Sequence, residues 1–175
     1  SPESYAINKK IVLDKKEWEL MLKRGDPTIN IHIPGGSRLD HNAVKESFLQ
    51  AQSFFSTYFP EYKWRGFVCH SWLLSPQLRE FLKSDSNITK FQDTFYMFPV
   101  SSPSTAGVYK FLFNTKECPP EELQAETSLQ KSVKNHLIKG GTINSEGGFL
   151  LREDLDRPIG HYKERFRWGD SHAPY

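Results

Sequence analysis

Hydrophobic and polar residues alternate along residues 28–33, with an isoleucine at every second position and polar side chains between them. Because successive side chains of a strand point to opposite faces, this alternation predicts a strand with one buried face. Pro34 and the two glycines after it end the strand. Apolar residues then recur at helical spacing from Asp40, a good N-cap, to Phe59. Residues 28–59 are therefore predicted to form a strand, a Gly-Gly turn and a helix.

Shorter patterns predict further elements in the middle of the chain. Residues 66–74 are mostly apolar on both faces, which is typical of a central strand. A short helix is expected to begin with Ser75 as its cap and Pro76 in its first turn. Two more strands are predicted at residues 90–100, which are rich in aromatic side chains, and at residues 108–113.

The C-terminal part adds a helix and a short strand. Thr127 and Gln130 have the spacing of a capping box, and the glycines at 140 and 141 are expected to close the helix that begins there. Residues 149–151 are interpreted as a last short strand, whereas residues 10–23 fit either a strand or a helix. The order of elements indicates an α/β fold with a mixed sheet. We assign residues 1–152 to one domain and interpret residues 153–175 as a charged tail.

Composition narrows the class of protein. The 175 residues suffice for one domain, and 13 Phe, 7 Tyr and 4 Trp supply a sizeable core. A net charge of +2 argues against a nucleic-acid binder or a membrane-surface protein, because those usually concentrate basic charge. No apolar run is long enough to span a membrane, and no signal peptide is visible. Cys69 and Cys118 lie outside any metal-binding spacing, so we expect no zinc site and a reducing, cytoplasmic compartment.

The turn after the first predicted strand is the first candidate site. A strand that passes through glycines into a helix N-terminus presents backbone N–H groups and the positive end of the helix dipole, which favours a phosphate or a carboxylate. Arg38 offers a charge-assisted contact and Ser37 a hydroxyl. On spacing alone, the simpler interpretation is a tight turn in which Gly35 and Gly36 relieve backbone strain.

Histidines and one carboxylate form the second set of candidates. His70 shares a strand face with Trp72, and histidine is the residue type most often used as a general base, whereas Cys69 points to the other face. His32 lies near the C-terminal end of the first strand, where ligands of α/β folds gather. A buried structural histidine explains either one alone. Asp93, within the aromatic segment, must be paired, hydrogen-bonded or functional.

Four runs of the chain, spread over residues 11–151, together resemble one protein family. They are IHIPGGSRLDHNAVKESF, FVCHSWLLSPQLREFL, SNITKFQDTFYMFPV and TSLQKSVKNHLIKGG. They resemble the C-terminal domain of bacterial two-domain acyltransferase-like proteins, a domain similar to the GNAT superfamily of CoA-dependent N-acyltransferases. The resemblance implies a GNAT-like sheet, mixed and mostly antiparallel, flanked by helices and containing a splayed pair of parallel strands. It also implies a small helical N-terminal domain of the same protein, which is missing from this chain.

The resemblance gives each candidate a role. In GNAT folds the CoA pyrophosphate binds to backbone N–H groups of a loop that corresponds here to residues 34–39. Cofactor-binding roles are therefore implied for Gly35, Gly36, Ser37, Arg38, Leu39 and Trp72. An acyl group would pass from acyl-CoA or acetyl-CoA to a small-molecule amine without a metal, with His70, His32 and Asp93 as the candidates for catalysis.

Two other interpretations stay open. The loop departs from the usual GNAT phosphate loop, because its glycines are adjacent and Pro34 donates no N–H. A GNAT-like module that binds a small ligand or a protein without catalysis would explain this departure. A hydrolase or carbohydrate-binding protein that stacks sugars on Trp64 and Trp72 is the third interpretation, but no pair of carboxylates supports it.

Overall fold

A four-stranded mixed sheet forms the centre of the domain in the computed structural model, which describes residues 5–6, 9–101 and 104–157. In space its order is β1, β2, β4, β3. The first two strands are parallel and the other two pairings are antiparallel. The strands are β1 (Thr28–Ile31), β2 (Gly66–Ser71), β3 (Tyr96–Phe98) and β4 (Glu146–Leu151). This arrangement confirms the predicted α/β fold with its one parallel pair.

The first predicted unit forms as expected. β1 is followed by a turn and by helix α1 (His41–Tyr58), whose N-cap is Asp40. The Asp40 carboxylate accepts hydrogen bonds from the backbone N–H groups of Asn42 and Ala43. Helix α1 turns its apolar stripe towards the sheet, because Phe48 and the isoleucines of the first strand belong to one packed cluster.

The buried side chains form two clusters. The first cluster lies between α1 and the sheet, and its largest members are Phe48, Trp64, Phe67, Phe91 and Phe95. The second cluster lies among helices α3 (Ala106–Leu112) and α4 (Ser128–Ile138) and includes Trp72, Leu78, Val108, Val133 and Ile143. Helix α4 begins with the capping box predicted for Thr127 and Gln130.

The prediction of a strand over residues 90–100 is wrong. Residues Asn87–Gln92 form a short helix, α2, and only Tyr96–Phe98 form strand β3. Ser86 starts the helix, because its side chain accepts a hydrogen bond from the Thr89 N–H. The aromatic side chains at 91 and 95 are buried all the same, one in the helix and one in the turn after it. An aromatic run can thus be buried without being a strand.

The prediction of a strand over residues 108–113 is also wrong, because these residues lie in α3 and in the turn after it. A run of six residues is too short for its hydrophobic period to separate strand from helix. Val108 and Tyr109 are buried against α4, whereas Phe111 remains 67 % exposed on the other side of the helix. A strand buried on both faces would also bury Phe111. The exposure of Phe111 therefore fits the helix and not such a strand.

Three other boundaries differ from the prediction. The strand predicted at 66–74 ends at Ser71, and residues Trp72–Leu74 form a 3-10 turn. The helix expected after Ser75 is a 3-10 helix, Pro76–Glu80, and the Ser75 side chain does not cap it. The strand expected at 149–151 begins at Glu146 and lies between β2 and β3. Residues 10–23 form neither a helix nor a strand.

The described chain ends in a short segment that packs on the domain. Residues Arg152–Asp154 form a 3-10 turn, and Leu155 belongs to the first cluster. The remainder of the predicted tail, residues 158–175, lies outside the described residues. Among the described residues, no helix combines the length and the hydrophobicity needed to cross a membrane.

Candidate functional site

A cleft of about 690 Å³ opens where β1 and β2 stop pairing. The parallel pairing ends at Ile31 and Cys69, while β2 continues to Ser71 beside β4. One wall of the cleft is the segment from Ile31 to Leu39, and the other is formed by Cys69 to Leu73 with the first residues of α2 and part of α3. The cleft therefore lies at the C-terminal end of a parallel strand pair, the usual place for a ligand in such folds.

Residues 34–39, here called the Gly-Gly loop, present backbone N–H groups along one wall. Gly36 has φ 77° and Leu39 has φ 51°, so two residues adopt the left-handed region. The Ser37 N–H donates to the Pro34 carbonyl at 3.2 Å, which closes the turn. Among the described residues, the N–H groups of Gly35, Gly36 and Arg38 have no hydrogen-bond partner within the protein. Together with the Arg38 guanidinium they can hold an anion.

The helix that follows the loop contributes less than the sequence predicts. The Asp40 carboxylate accepts from the N–H groups of Asn42 and Ala43 at 3.1 and 3.2 Å. Two of the amides at the start of α1 are thus already satisfied, and a negative charge sits at the helix N-terminus. The loop amides and Arg38, rather than the helix amides, remain as the anion-binding groups.

Both candidate histidines line the cleft. Residues Ile31 and Cys69 form the last rung of the β1–β2 ladder, and His32 and His70 come directly after them. Both imidazoles are exposed. The Asn30 amide nitrogen lies 3.3 Å from His32 Nε2 and orients that ring. The strands that hold the two histidines are neighbours, which the sequence alone left undecided.

Trp72 contributes to the cleft from the second cluster. It follows β2 in a 3-10 turn, where the Ser71 side chain accepts from the Leu73 N–H. Trp72 is only 7 % exposed and packs with residues of α3 and α4, although its edge lines the cleft. Other apolar side chains on this side are Leu73, Ile88, Phe111, Leu112 and Leu129. This part of the cleft suits an apolar group.

Cys69 also borders the cleft, but its thiol is not an activated nucleophile. The side chain is 3 % exposed, and burial raises the pKa of the Cys69 thiol to about 12. At neutral pH the thiolate that a covalent mechanism requires is therefore almost absent.

Asp93 lies apart from the other candidates. It caps the C-terminal end of α2, and its carboxylate forms a 2.7 Å ion pair with Arg79. It borders a small cavity beside α1 instead of the cleft. Its expected position on a strand is wrong, and of the three alternatives for its carboxylate, paired, hydrogen-bonded or functional, the structure shows an ion pair with Arg79.

Sequence reasoning missed Glu146, which pairs with Ser71 at the end of the β2–β4 ladder. Its side chain is 6 % exposed, and burial raises the pKa of the Glu146 carboxyl. Hydrogen bonds from Tyr5 and from the Val100 N–H, and the nearby His70, oppose that rise. No sequence signal marks Glu146, because its burial depends on the insertion of β4 between β2 and β3. Within the described part of the chain, no group of three or more His, Cys, Asp or Glu residues could hold a metal ion.

Comparisons with known proteins agree on one family. Residues 4–150 match the family described as GNAT-like C-terminal domain. An acyltransferase crystallised with CoA and 10C-teicoplanin is 31% identical, with a TM-score of 0.64, over 75% of this chain and 42% of that one. An acyltransferase crystallised with decanoyl-CoA is 32% identical, with a TM-score of 0.65, over 74% of this chain and 41% of that one. No curated protein matches the sequence.

The chain spans less than half the length of these acyltransferases. The similarity therefore covers most of this chain but only one part of each neighbour. What the neighbours bind in their crystals belongs to the longer proteins.

Proposed function

Since this chain belongs to the GNAT-like C-terminal domain family, we propose that it is an acyl-CoA-dependent N-acyltransferase domain that transfers an acyl group to an amine. The observation that carries the proposal is the cleft at the end of β1 and β2, which brings the Gly-Gly loop and two exposed histidines together. Similar acyltransferases crystallised with CoA, octanoyl-CoA and decanoyl-CoA support an acyl-CoA as the donor.

In this proposal the Gly-Gly loop binds the CoA pyrophosphate. The amides of Gly35, Gly36 and Arg38 donate to phosphate oxygens, and the Arg38 guanidinium and the Ser37 hydroxyl add side-chain contacts. The exposed loop lets a charged ligand approach without burying an unpaired charge. Because Asp40 repels phosphate, the pyrophosphate belongs on the loop side of the helix N-terminus.

The apolar side of the cleft takes the thioester arm. Trp72, Leu73, Ile88 and Leu112 offer apolar surface between the Gly-Gly loop and α3. Burying the arm there holds the thioester carbonyl at the end of the strand pair, close to both histidines. Positioning of this kind supplies much of the rate of an acyl transfer.

His70 is the proposed general base, with His32 as the second candidate. The amine nitrogen attacks the thioester carbonyl, an N–C bond forms, and the C–S bond breaks. The proton lost by the nitrogen passes to the imidazole and then to the leaving sulfur, so the products are an amide and a free thiol. Asp93 is left out, because its carboxylate lies outside the cleft and is paired with Arg79.

We propose that residues 1–152 form the catalytic domain and that a helical N-terminal domain of the same protein completes it in the cytoplasm. Large apolar side chains that are exposed in this chain support such a partner domain. They are Ile11, Val12, Trp18 and Leu20 near the start and Phe54, Tyr58 and Phe59 on α1. The acceptor is an amine, and teicoplanin, which is bound to a similar acyltransferase, is the first one to test.

Titration calorimetry with acetyl-, octanoyl- and decanoyl-CoA tests the proposal. We expect saturable binding of at least one of them, and its loss, by 100-fold or more, in Gly36→Glu, which places bulk and negative charge against the pyrophosphate. The same titrations on a longer protein that contains the partner domain should show binding at the same site. No binding of any acyl-CoA by this chain or the longer protein would favour the non-catalytic module.

Gly25→Glu is the matched control. Gly25 and Gly36 both have positive φ, 92° and 77°, and neither has a neighbour within 4 Å of an added Cβ. The two substitutions therefore carry the same backbone strain, but Gly25 does not border the cleft. Equal loss of binding in both variants would show that strain, and not the phosphate site, causes the effect.

A further inference from the structure

Helix α2 connects the two walls of the cleft. At its start, the Asn87 side-chain amide donates a 2.8 Å hydrogen bond to the carbonyl of Arg38 in the Gly-Gly loop. At its end, the fully buried Gln92 side chain donates to the carbonyls of Leu73 and Ser75, at 2.8 and 2.9 Å, in the turn after β2. The helix thus holds backbone carbonyls of both walls.

The contact from Asn87 is not needed to start the helix. Ser86 already caps α2, since its side chain accepts from the Thr89 N–H at 3.2 Å. The Asn87 side chain is exposed and reaches a residue 49 positions earlier in the chain. An exposed side chain that makes one long-range bond to a loop carbonyl contributes to the loop rather than to the core.

The carbonyl that Asn87 binds belongs to a strained part of the loop. Leu39, the next residue, has φ 51°, a left-handed conformation that is unfavourable for a residue other than glycine. Such a conformation persists only where the surroundings hold it. Because a peptide group is planar, the bond to the Arg38 carbonyl fixes the plane between Arg38 and Leu39, and so restrains the end of the loop that carries the N–H groups of Gly35, Gly36 and Arg38.

We propose that Asn87 is a positioning residue that holds the Gly-Gly loop in its anion-binding conformation from the opposite wall of the cleft. The proposal rests on the proposed function, since it assumes that this loop receives the CoA pyrophosphate. It predicts that Asn87 acts on the phosphate part of the ligand and not on the thioester arm.

Calorimetry and steady-state kinetics on Asn87→Ala test the proposal with two ligands. We expect affinity for CoA to fall about 3- to 10-fold, the range that corresponds to one lost hydrogen bond, and the KM for acyl-CoA to rise by the same factor with little change in kcat. The kcat/KM for the matching acyl-pantetheine, which lacks the pyrophosphate, should stay within twofold. A general loss of structure would lower both the affinity for CoA and the kcat/KM for acyl-pantetheine.

Two further variants complete the experiment. Asn135→Ala removes an exposed helical asparagine outside the cleft and should leave both ligands unaffected. Leu39→Gly removes the strain, so the loss of CoA affinity in Leu39→Gly/Asn87→Ala should be smaller than the product of the two single losses. Asn87→Asp keeps the size but offers no donor and should weaken CoA binding at least as much as Asn87→Ala.

The outcomes separate this inference from the proposed function. If the unmodified protein binds no acyl-CoA, the proposed function fails and this inference fails with it. If the unmodified protein binds acyl-CoA and Asn87→Ala binds it equally well, or loses acyl-pantetheine to the same extent, the positioning role alone is overturned.

Discussion

One wall of the cleft is the exposed Gly-Gly loop, whereas the other wall consists of side chains anchored in the second cluster. The loop offers backbone amides and one arginine, and its Arg38 carbonyl accepts a hydrogen bond from the Asn87 side chain. The other wall offers Trp72 and its apolar neighbours, which are held by their own packing. The loop therefore suits a charged group, and the packed wall suits an apolar one. Substitutions in the loop should weaken ligand binding, whereas substitutions in the packed wall should lower the free energy of unfolding.

The largest expected effect concerns His70, which belongs to the wall formed by residues 69–73. His70→Ala should lower kcat by roughly 10²- to 10⁴-fold, the usual contribution of general base catalysis, with the KM for acyl-CoA within about twofold. Steady-state release of the free thiol in the presence of the amine acceptor measures both values. His32→Ala is the comparison, because that imidazole borders the same cleft. A larger loss of kcat in His32→Ala would identify His32, directly after β1, as the base.

Substitutions in the two walls should separate stability from binding. Trp72→Ala removes a large buried side chain and should lower the free energy of unfolding by about 3–5 kcal/mol. Arg38→Ala, in the exposed loop, should change it by less than about 0.5 kcal/mol yet weaken CoA binding about 10-fold or more, because a charge-assisted contact is lost. Urea unfolding and calorimetry on both variants give the four values. Comparable destabilisation by both substitutions would contradict the distinction between the walls.

A smaller effect is expected at Glu146, which pairs with Ser71 at the end of the β2–β4 ladder. The unfolded chain releases this proton near pH 4.5, whereas burial raises the pKa of the Glu146 carboxyl in the folded protein. The folded state therefore keeps the proton in a pH range where the unfolded state has lost it. The stability contributed by this group is complete below about pH 4.5 and is lost as the pH rises through the raised value.

Glu146→Gln removes that titration and keeps the size of the side chain. Its free energy of unfolding, compared with that of the unmodified protein, should increase from pH 4 towards pH 7 in urea unfolding at a series of pH values. For Glu153→Gln, at an exposed position, the difference in the free energy of unfolding from the unmodified protein should not change with pH over the same range. A flat difference for Glu146→Gln would contradict a raised pKa at this position.

The sequence predicted the elements whose signals are local. Alternation in β1, the Asp40 cap of α1 and the Thr127 capping box of α4 each act within a few residues, and all three are confirmed. Residues 90–95 and 108–113 are wrongly predicted as strand, because aromatic residues are buried equally well from a short helix, a turn or a strand, whereas Tyr96–Phe98 form a strand as predicted.

The site could be predicted only in part, for a related reason. The Gly-Gly loop, His32 and His70 were recognised from residue type and position at strand ends, and the structure brings them to one cleft. Asn87 and Glu146 were missed, because their roles arise from contacts with residues far away in the chain, Arg38 for one and the β2 strand for the other. The sequence around each of these residues contains no pattern that predicts contacts with such distant residues.

The position of β4 has a consequence for how the protein is made. Among the strands of the described residues this one comes last in the sequence, yet it lies between β2 and β3 and supplies the pairing of both. During synthesis β3 emerges before the strand that it pairs with, so the sheet cannot close until residue 151 is available. Such long-range pairing is slow to form and leaves strand edges exposed in the meantime. A nascent chain halted before β4 would thus carry its histidines and its Gly-Gly loop without the completed sheet, and the unpaired edges of β2 and β3 would be open to aggregation.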